Sequence, residues 1–210
     1  MNYLNSNDQL ISVIVPTFNS EGTIIRCINS IFSQIVDYQI EIIVIDDNST
    51  DNTLKLIKAI HKKSKFEIKI IQNKINKGSG FCRQIGIDIS KGNYIAFLDS
   101  DDYWLENKLF KQISFMERKT WIQISYSDYL SEISSFEKLF FYLEETPLMV
   151  DLKKNKYKNF IPNSSVMIRS SFAKKVSYPQ IRVRNDFVYW NKLLSINRTK
   201  AYNFDSGKPY

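Results

Sequence analysis

The chain has 210 residues, of which 43% are hydrophobic and 24% charged, and its net charge is +7. This composition is typical of a soluble globular protein, and the length suffices for one domain with a sizeable core. No apolar run approaches the roughly 20 residues of a membrane-spanning helix, and the N-terminus lacks the basic start and apolar stretch of a secretory signal. We therefore expect a cytoplasmic protein with a single domain over residues 1–210.

The first hundred residues alternate between β-branched strand patterns and amphipathic helix patterns. In chain order we predict a strand at 11–16, a helix capped by Ser20, a strand at 41–46, a helix after the turn at 47–51, a strand at 68–71, a helix carrying Cys82, and a strand at 93–98. Such alternation predicts an α/β fold with right-handed crossovers and a mainly parallel sheet, flanked by helices on both faces.

The pattern after residue 102 is less regular. We predict a helix at 105–116, strands at 122–130 and 163–169, and a helix that begins at Asp186. Residues 131–158 mix aromatic and charged side chains, and either a helical excursion or a mobile lid fits them.

Three carboxylates follow the fourth predicted strand within four positions, namely Asp99, Asp101 and Asp102. Carboxylates this close repel one another unless a cation or a ligand rich in donors compensates them. Oxygen ligands suit Mg²⁺ or Mn²⁺, which in turn bind phosphates. The alternative is an acidic loop that caps the following helix.

The turns after the first, second and fourth strands all leave the carboxyl ends of a predicted parallel sheet. Ligands of such sheets gather at that edge, so we expect the three turns to converge on one crevice.

The remaining titratable residues narrow the possible partners. Cys27 and Cys82 have neither a metal-binding nor a disulfide-scaffold spacing, and His61 lies in a polar run with no cysteine nearby, so zinc is not expected. Residues 1–102 hold 11 basic and 12 acidic side chains, whereas residues 103–210 hold 18 and 10. A basic second half suits an anionic lipid carrier or membrane surface, although a solvated lysine-rich surface is the simpler explanation. No nucleic-acid recognition motif accompanies the lysine cluster at 153–156.

Seven blocks in this chain resemble, in order, the family 2 glycosyltransferases of the GT-A fold. They are 12–19 (SVIVPTFN), 44–51 (VIDDNSTD), 76–78 (NKG), 83–87 (RQIGI), 92–102 (GNYIAFLDSDD), 163–169 (NSSVMIR) and 185–186 (ND). Each block alone is weak, but seven in this order are specific. The resemblance implies a Rossmann-like nucleotide-sugar-binding half at about 10–102 and a less regular acceptor-side half at about 103–210.

The resemblance also implies a donor site. Pro16 and Thr17 would position the backbone while Phe18 stacks on the base, with a core aromatic as the alternative for Phe18. Asp47 resembles the carboxylate that accepts a hydrogen bond from the uracil imide, and Asp46 lies beside it.

Lys77 and Arg83 are the cations that the resemblance assigns to the diphosphate, with Arg83 the stronger candidate because a guanidinium binds phosphate in two places. Of the acidic loop, the resemblance implies Asp99 near the ribose and the metal, Asp101 on the metal, Mn²⁺ or Mg²⁺, and Ser100 in the donor site. Asp102 is assigned to the edge of the sugar pocket, or else to a helix cap.

Asp186 resembles the catalytic base of the family. One carboxylate base that acts opposite the leaving group implies direct displacement with inversion. Relatives often carry two acids here, whereas this chain has Asn185 before the base. Relatives also continue well past this helix, so the acceptor side is expected to be short.

The resemblance, taken with these residues, implies a metal-dependent, inverting glycosyltransferase. It would move a sugar from a nucleotide-diphosphate donor, most simply a UDP-sugar, to a saccharide or lipid-linked saccharide in cell-surface polysaccharide or lipopolysaccharide synthesis, with peripheral contact to the inner membrane surface. Two alternatives stay open, namely a nucleotide-sugar-binding relic without turnover and an aspartyl-dependent phosphatase. The phosphatase fits poorly because Tyr103 stands where its motif has Thr or Val.

Overall fold

The computed structural model describes residues 9–62, 64, 66–135 and 138–205. The strands of this part are β1 Leu10–Thr17, β2 Gln39–Asp46, β3 Glu67–Gln72, β4 Tyr94–Phe97, β5 Ile124–Tyr126, β6 Tyr129–Ser135, β7 Lys138–Glu144, β8 Met149–Val150, β9 Met167–Arg169 and β10 Ala201–Asn203. The helices are α1 Ile24–Phe32, α2 Thr53–His61, α3 Ser79–Ile89, α4 Lys108–Arg118, α5 Leu152–Asn155, α6 Ser170–Ala173 and α7 Asn185–Ser195, with 3₁₀ turns at Asn163–Ser165 and Ile196–Arg198. Expectations about residues 1–8 and the chain end at 206–210 concern residues outside the described part.

A single mixed sheet of eight strands organises the fold, in the order β3-β2-β1-β4-β9-β5-β10-β8. Strands β1 to β4 are parallel to one another, which confirms the predicted alternation of strands and helices. Strand β9 runs antiparallel between β4 and β5. Because Thr17 pairs in register with Asp46, the turns after β1 and β2 leave the sheet side by side.

The sheet is covered on both faces, which explains the continuous apolar runs of its central strands. On one face Val13 and Val15 pack with α1, α2 and α4, and on the other Ile14 packs with α3 and α7. Helix α3 approaches β1 closely at Gly86, where an added Cβ would lie 2.5 Å from Cγ2 of Ile14. Cys27 and Cys82 are buried and free, as predicted. No helix in the described part of the chain is long and apolar enough to cross a membrane.

The stretch at 131–158, expected to be a helical excursion or a mobile lid, begins as a β-hairpin and not as a helical excursion. The strand predicted at 122–130 ends at Tyr126, and β6 then pairs with β7 in a separate two-stranded sheet. Large apolar side chains occur on both faces of this hairpin, so neither the period of a helix nor that of a half-buried strand is visible in the sequence. Those exposed in the structure are Tyr129, Leu130, Ile133, Leu139, Phe140, Phe141, Tyr142 and Leu143.

Three further predictions need correction. The strand predicted at 163–169 is only β9, because Asn163–Ser165 form a 3₁₀ turn whose side chains bind the acidic loop. The helix predicted at 105–116 begins at Lys108, after a left-handed residue at Asn107. Ser20 does not cap α1 with its side chain, since its hydroxyl contacts the hydroxyl of Ser100 and the carbonyl of Phe18.

A buried carboxylate holds the amino ends of the strands together. Glu41 on β2, only 1% exposed at its side chain, accepts hydrogen bonds from Nζ of Lys69 at 2.6 Å, Oγ of Ser12 at 2.6 Å and the amide of Lys91 at 2.7 Å. Burial opposes ionisation of Glu41, but the hydrogen bonds from Lys69, Ser12 and Lys91 outweigh it and lower its pKa.

We expect Glu41→Gln to reduce the free energy of unfolding by about 2 kcal/mol at pH 7, the value of a hydrogen-bonded buried charge. Because the pKa of Glu41 is lowered in the folded protein, its stabilisation is present above the unfolded value of about 4.3 and is lost as pH falls through the folded value. Urea unfolding at pH 7 and at decreasing pH tests this, since the difference between the two proteins should shrink in acid. Glu67→Gln is the control, because Glu67 pairs with the same Lys69 but is 61% exposed. An equal loss in both variants would contradict the prediction.

Candidate active site

A cavity of about 460 Å³ lies at the carboxyl ends of β1, β2 and β4. Its walls are formed by Pro16, Thr17, Phe18, Asn19, Ser20, Thr23, Asp47, Ser79, Cys82, Arg83, Asp99, Ser100 and Asp101. The three turns that follow these strands therefore converge, as the sequence predicted. Four predicted site residues do not line the cavity, namely Asp46, Lys77, Asp102 and Asp186. A second cavity, of about 550 Å³, lies on α2 and at its C-terminal end. It is lined by two apolar residues and three lysines, and no carboxylate lines it.

The loop after β1 presents Phe18 to solvent at the cavity wall. Phe18 is 46% exposed, so the alternative of a core aromatic is wrong. The following residue, Asn19, is left-handed with φ 47° and is tied to the loop after β2, because its Oδ1 accepts from the amide of Thr50 at 2.8 Å. A firmly held loop with an exposed ring beside a cavity suits stacking on a planar ligand.

The two carboxylates that end and follow β2 differ in their surroundings. Asp47 lines the cavity and accepts from the side-chain amide of Asn73 at 2.7 Å and from the main-chain amides of Lys77 and Gly78, the latter at 2.7 Å. Asp47 therefore positions the loop at 73–78, and a ligand imide would add to these donors. Asp46 is fully buried, and one oxygen accepts from the amide of Ser49 while the other has no partner among the described residues.

The two predicted cations are placed differently. The ammonium of Lys77 lies 4.2 Å from the centroid of the Phe81 ring, outside the cavity, so in this structure only its main chain takes part in the site. Arg83 is 5% exposed and forms a 2.5 Å ion pair with Asp99. Burial lowers the pKa of the Arg83 guanidinium, but Asp99, Tyr178 and Asp186 together raise it more, with Asp99 contributing most, so the group stays charged.

The carboxylates of the acidic loop, at residues 99–102, differ in whether other protein groups donate hydrogen bonds to them. Oδ1 of Asp99 accepts from Arg83 and from Nδ2 of Asn163 at 3.2 Å, whereas Oδ2 has no donor among the described residues. The carboxylate of Asp101 is exposed and likewise has no partner there. Asp102 accepts from Oγ of Ser164 at 2.5 Å, so it braces the loop. It does not cap α4, which starts at Lys108.

The pKa of Asp102 is raised, chiefly by the reduced hydration of its carboxyl group and further by the charges of Asp99 and Asp101. Such mutual repulsion within the loop favours binding of a cation.

The available carboxylate oxygens fit a metal ion whose coordination shell is completed by a bound ligand. No group of three or more His, Cys, Asp or Glu side chains in the described residues is arranged to hold a metal by itself. Oδ2 of Asp99 and the carboxylate of Asp101 belong to two cavity-lining residues and supply two hard oxygen donors. Magnesium-type ions in proteins are commonly held by one or two carboxylates together with substrate phosphates, so these two residues fit Mg²⁺ or Mn²⁺ in the presence of a diphosphate.

Sequence reasoning missed the residues that brace this loop from below. Oγ of Ser164 accepts from the amide of Asp99 at 3.0 Å as well as donating to Asp102, and the carbonyl of Ser164 accepts from the indole of Trp104 at 2.6 Å. Ser20 contacts Ser100 across the cavity at 2.8 Å. The only indication of this role in the sequence was that the block at 163–169 begins with three polar residues.

The predicted base, Asp186, lies in the first turn of α7 and is partly exposed. Its Oδ2 accepts from Nδ2 of Asn159 at 2.8 Å. The preceding residue, Asn185, is buried and accepts a hydrogen bond from Arg83 at 2.7 Å. The structure thus links α7 to the cavity through one intervening side chain, although Asp186 itself lies outside the cavity wall.

Comparison with known proteins gives the class. The family profile described as Glycosyl transferase family 2 matches residues 12–176. WfaP of Escherichia coli, a UDP-Glc:alpha-D-GlcNAc-diphosphoundecaprenol beta-1,3-glucosyltransferase, is 37% identical over 187 residues, which cover 89% of this chain and 71% of WfaP. WfgD of the same organism, whose name states the same activity, is 31% identical over 203 residues, 94% of this chain and 74% of WfgD.

Among solved structures, that of S. aureus TarS 1-349 in complex with UDP superposes with a TM-score of 0.74 and 24% identity. The match covers 95% of this chain and 59% of that chain. The mostly parallel sheet with its flanking helices is that of the GT-A glycosyltransferases. Because the family profile covers most of the sequence and WfaP is closely similar, the chain belongs to glycosyl transferase family 2.

Proposed function

We propose that this glycosyltransferase moves a sugar from a UDP-sugar to a hydroxyl of a lipid-linked saccharide, with inversion, during cell-surface polysaccharide or lipopolysaccharide synthesis. The observation that carries the proposal is that one cavity is lined by both an exposed ring, Phe18, and two carboxylates, Asp99 and Asp101. The printed activities of WfaP and WfgD, and the UDP in the TarS structure, support the donor and the acceptor.

The loops after β1 and β2 would bind the nucleoside. Phe18 stacks on the uracil, Pro16 and Thr17 shape the wall beside it, and Asp47 accepts from the imide. Asp46 acts indirectly, because it is buried and holds the turn that carries Asp47.

The acidic loop would bind the ribose and diphosphate. Oδ2 of Asp99 and the carboxylate of Asp101 would hold Mn²⁺ or Mg²⁺, which when bound supplies electrostatic stabilisation of the departing nucleoside diphosphate. Ser100 keeps the loop against Ser20, and Asp102 keeps it against the turn at Asn163–Ser165. Lys77 would turn from the Phe81 ring to meet the phosphates, whereas Arg83 acts by holding Asp99.

Asp186 would accept the proton of the acceptor hydroxyl. The acceptor oxygen then forms a bond to the anomeric carbon while the bond from that carbon to the diphosphate oxygen breaks, and the nucleoside diphosphate leaves with the electron pair. Because the nucleophile arrives opposite the leaving group in one displacement, the configuration inverts.

The hairpin of β6 and β7 supports an acceptor with an apolar part. Arg26 donates to Glu132 of β6 and to the main-chain carbonyl of Asp101, so the hairpin lies beside the acidic loop. By strand alternation, Leu130, Phe141 and Leu143 share the face of Glu132. We assign this face to the lipid chain of the acceptor, and the basic second half to an anionic cytoplasmic membrane surface.

A transfer assay tests the proposal. The purified chain is incubated with UDP-glucose and other UDP-sugars, Mn²⁺, and a GlcNAc-diphospholipid acceptor, and the anomeric configuration of the product is read by NMR. We expect a β-linked product from an α-linked donor, loss of transfer with EDTA, and poorer transfer to an acceptor with a shortened lipid chain. Transfer with retention, or transfer unaffected by EDTA, would contradict the mechanism, and failure with every nucleotide sugar would contradict the function.

A further inference from the structure

Arg83 connects the acidic loop to the base helix. Its Nη2 donates to Oδ1 of Asp99 at 2.5 Å, and its Nη1 donates to Oδ1 of Asn185 at 2.7 Å and to Oγ of Ser79 at 3.2 Å. The guanidinium lies over the ring of Tyr178, 5.6 Å from its centroid. Because a guanidinium is planar and rigid, hydrogen bonds at both of its ends fix the positions of the two groups that it joins relative to each other.

Asn185 completes the connection on the helix side. Its Nδ2 donates to Oγ of Ser79 at 3.1 Å and to the carbonyl of Ile181 at 3.2 Å, so this one amide joins α3, the segment before α7 and Arg83. Asp186 is the next residue along the chain. The contacts that fix the side chain of Asn185 therefore also fix the first turn of α7 and the carboxylate of Asp186.

The close approach of the two helices depends on a glycine. A Cβ added to Gly80 on α3 would lie 2.3 Å from the carbonyl of Pro179 and 3.2 Å from Cβ of Asn185. The chain therefore has no side chain at the point where the segment at 179–185 crosses α3, which lets the Asn185 amide reach Arg83.

We propose that Asn185 is a positioning residue, which through Arg83 fixes the candidate base Asp186 relative to the donor carboxylate Asp99. The effect on catalysis rests on the proposed function, whereas the link between Asp99 and α7 does not. Arg83 then has a role different from the phosphate ligand that the family resemblance implied. An amide suits position 185, because its oxygen accepts a hydrogen bond from Arg83. A carboxylate there would compete with Asp99 for the single positive charge of Arg83.

Two substitutions separate the contacts of this amide. Asn185→Leu removes the acceptor for Arg83 and the donor to Ser79 and Ile181, whereas Asn185→Asp keeps the acceptor only. We expect kcat to fall about 10–100-fold in the leucine variant and less in the aspartate variant, since a small displacement of a reacting group has effects of this size. The KM for the UDP-sugar should stay within about threefold, because Asn185 does not itself line the cavity and reaches it only through its hydrogen bonds with Ser79 and Arg83.

The control is Asn191→Leu, on the same helix. Asn191 accepts one hydrogen bond, from Asn155 at 3.1 Å, and contacts neither Arg83 nor the cavity. It should leave kcat within about twofold of the parent. A comparable fall of kcat in both variants, or a KM that rises as kcat falls in Asn185→Leu, would overturn the positioning role.

A second measurement needs no activity, so it separates this inference from the proposed function. Asp99→Ala removes the far end of the connection, and we expect faster hydrogen exchange of the amides at 185–189, although Asp99 does not contact α7. Asp101→Ala should leave that exchange unchanged, because its carboxylate has no partner among the described residues. Exchange that changes only around residues 99–104 and 163–165 in Asp99→Ala would show that no position is transmitted, and would refute the inference even if the enzyme transfers sugar.

Discussion

Replacing Asp186 with asparagine should reduce sugar transfer by about 10²–10⁴-fold, the range that removal of a general base produces. The substitution keeps the size of the side chain and an oxygen for Asn159, which donates to Asp186 at 2.8 Å. It removes the carboxylate that would accept the proton of the acceptor hydroxyl. Initial rates at saturating donor and acceptor measure the effect, and the affinity for UDP should be unchanged because Asp186 does not line the cavity.

Asp88→Asn is the matched control, since Asp88 is an exposed carboxylate of α3 that accepts a hydrogen bond from Gln84 of the same helix. It should transfer sugar like the parent. Loss of transfer in Asp186→Asn with UDP binding retained in both would also exclude a binding relic, because a relic has no turnover to lose. A variant that keeps full activity would show that another group takes the proton.

Replacing Asp101 with alanine should abolish the dependence of UDP binding on metal. In calorimetric titrations the parent should bind UDP with Mn²⁺ and lose affinity about tenfold or more in EDTA, since the ion bridges protein and diphosphate. Asp101→Ala should bind weakly in both conditions. The reason is that Asp101 is the more accessible of the two ligand-facing carboxylates, while Asp99 already shares its charge with Arg83.

Asp37→Ala serves as the control for this titration, because Asp37 is exposed before β2, at the end of the sheet opposite the cavity. It should bind UDP like the parent with and without metal. Tight UDP binding that EDTA does not weaken would overturn the metal assignment. Binding of a different nucleotide in place of UDP would keep the site and change the donor.

Much of the nucleotide half could be predicted because its information is local. The strands of the first hundred residues are short and rich in β-branched residues, each helix has an apolar stripe, and each polar turn directly follows a strand. Since parallel strands place their carboxyl ends at one edge, the convergence of Phe18, Asp47 and Asp99 follows from order along the chain. The same local patterns failed where apolar residues occupy both faces, as in the hairpin of β6 and β7.

The partners of individual side chains were decided only by the tertiary structure. Arg83 is 16 residues from Asp99 and 102 from Asn185, and nothing in the sequence near it indicates that both bind its guanidinium. The bracing of Asp102 by Ser164 likewise joins residues 62 apart. A sequence pattern determines which face a residue occupies and which end of a strand it follows, since these depend on neighbours along the backbone. Which charge meets which donor depends on how close distant segments pack, as at Gly80, and packing is a property of the whole fold.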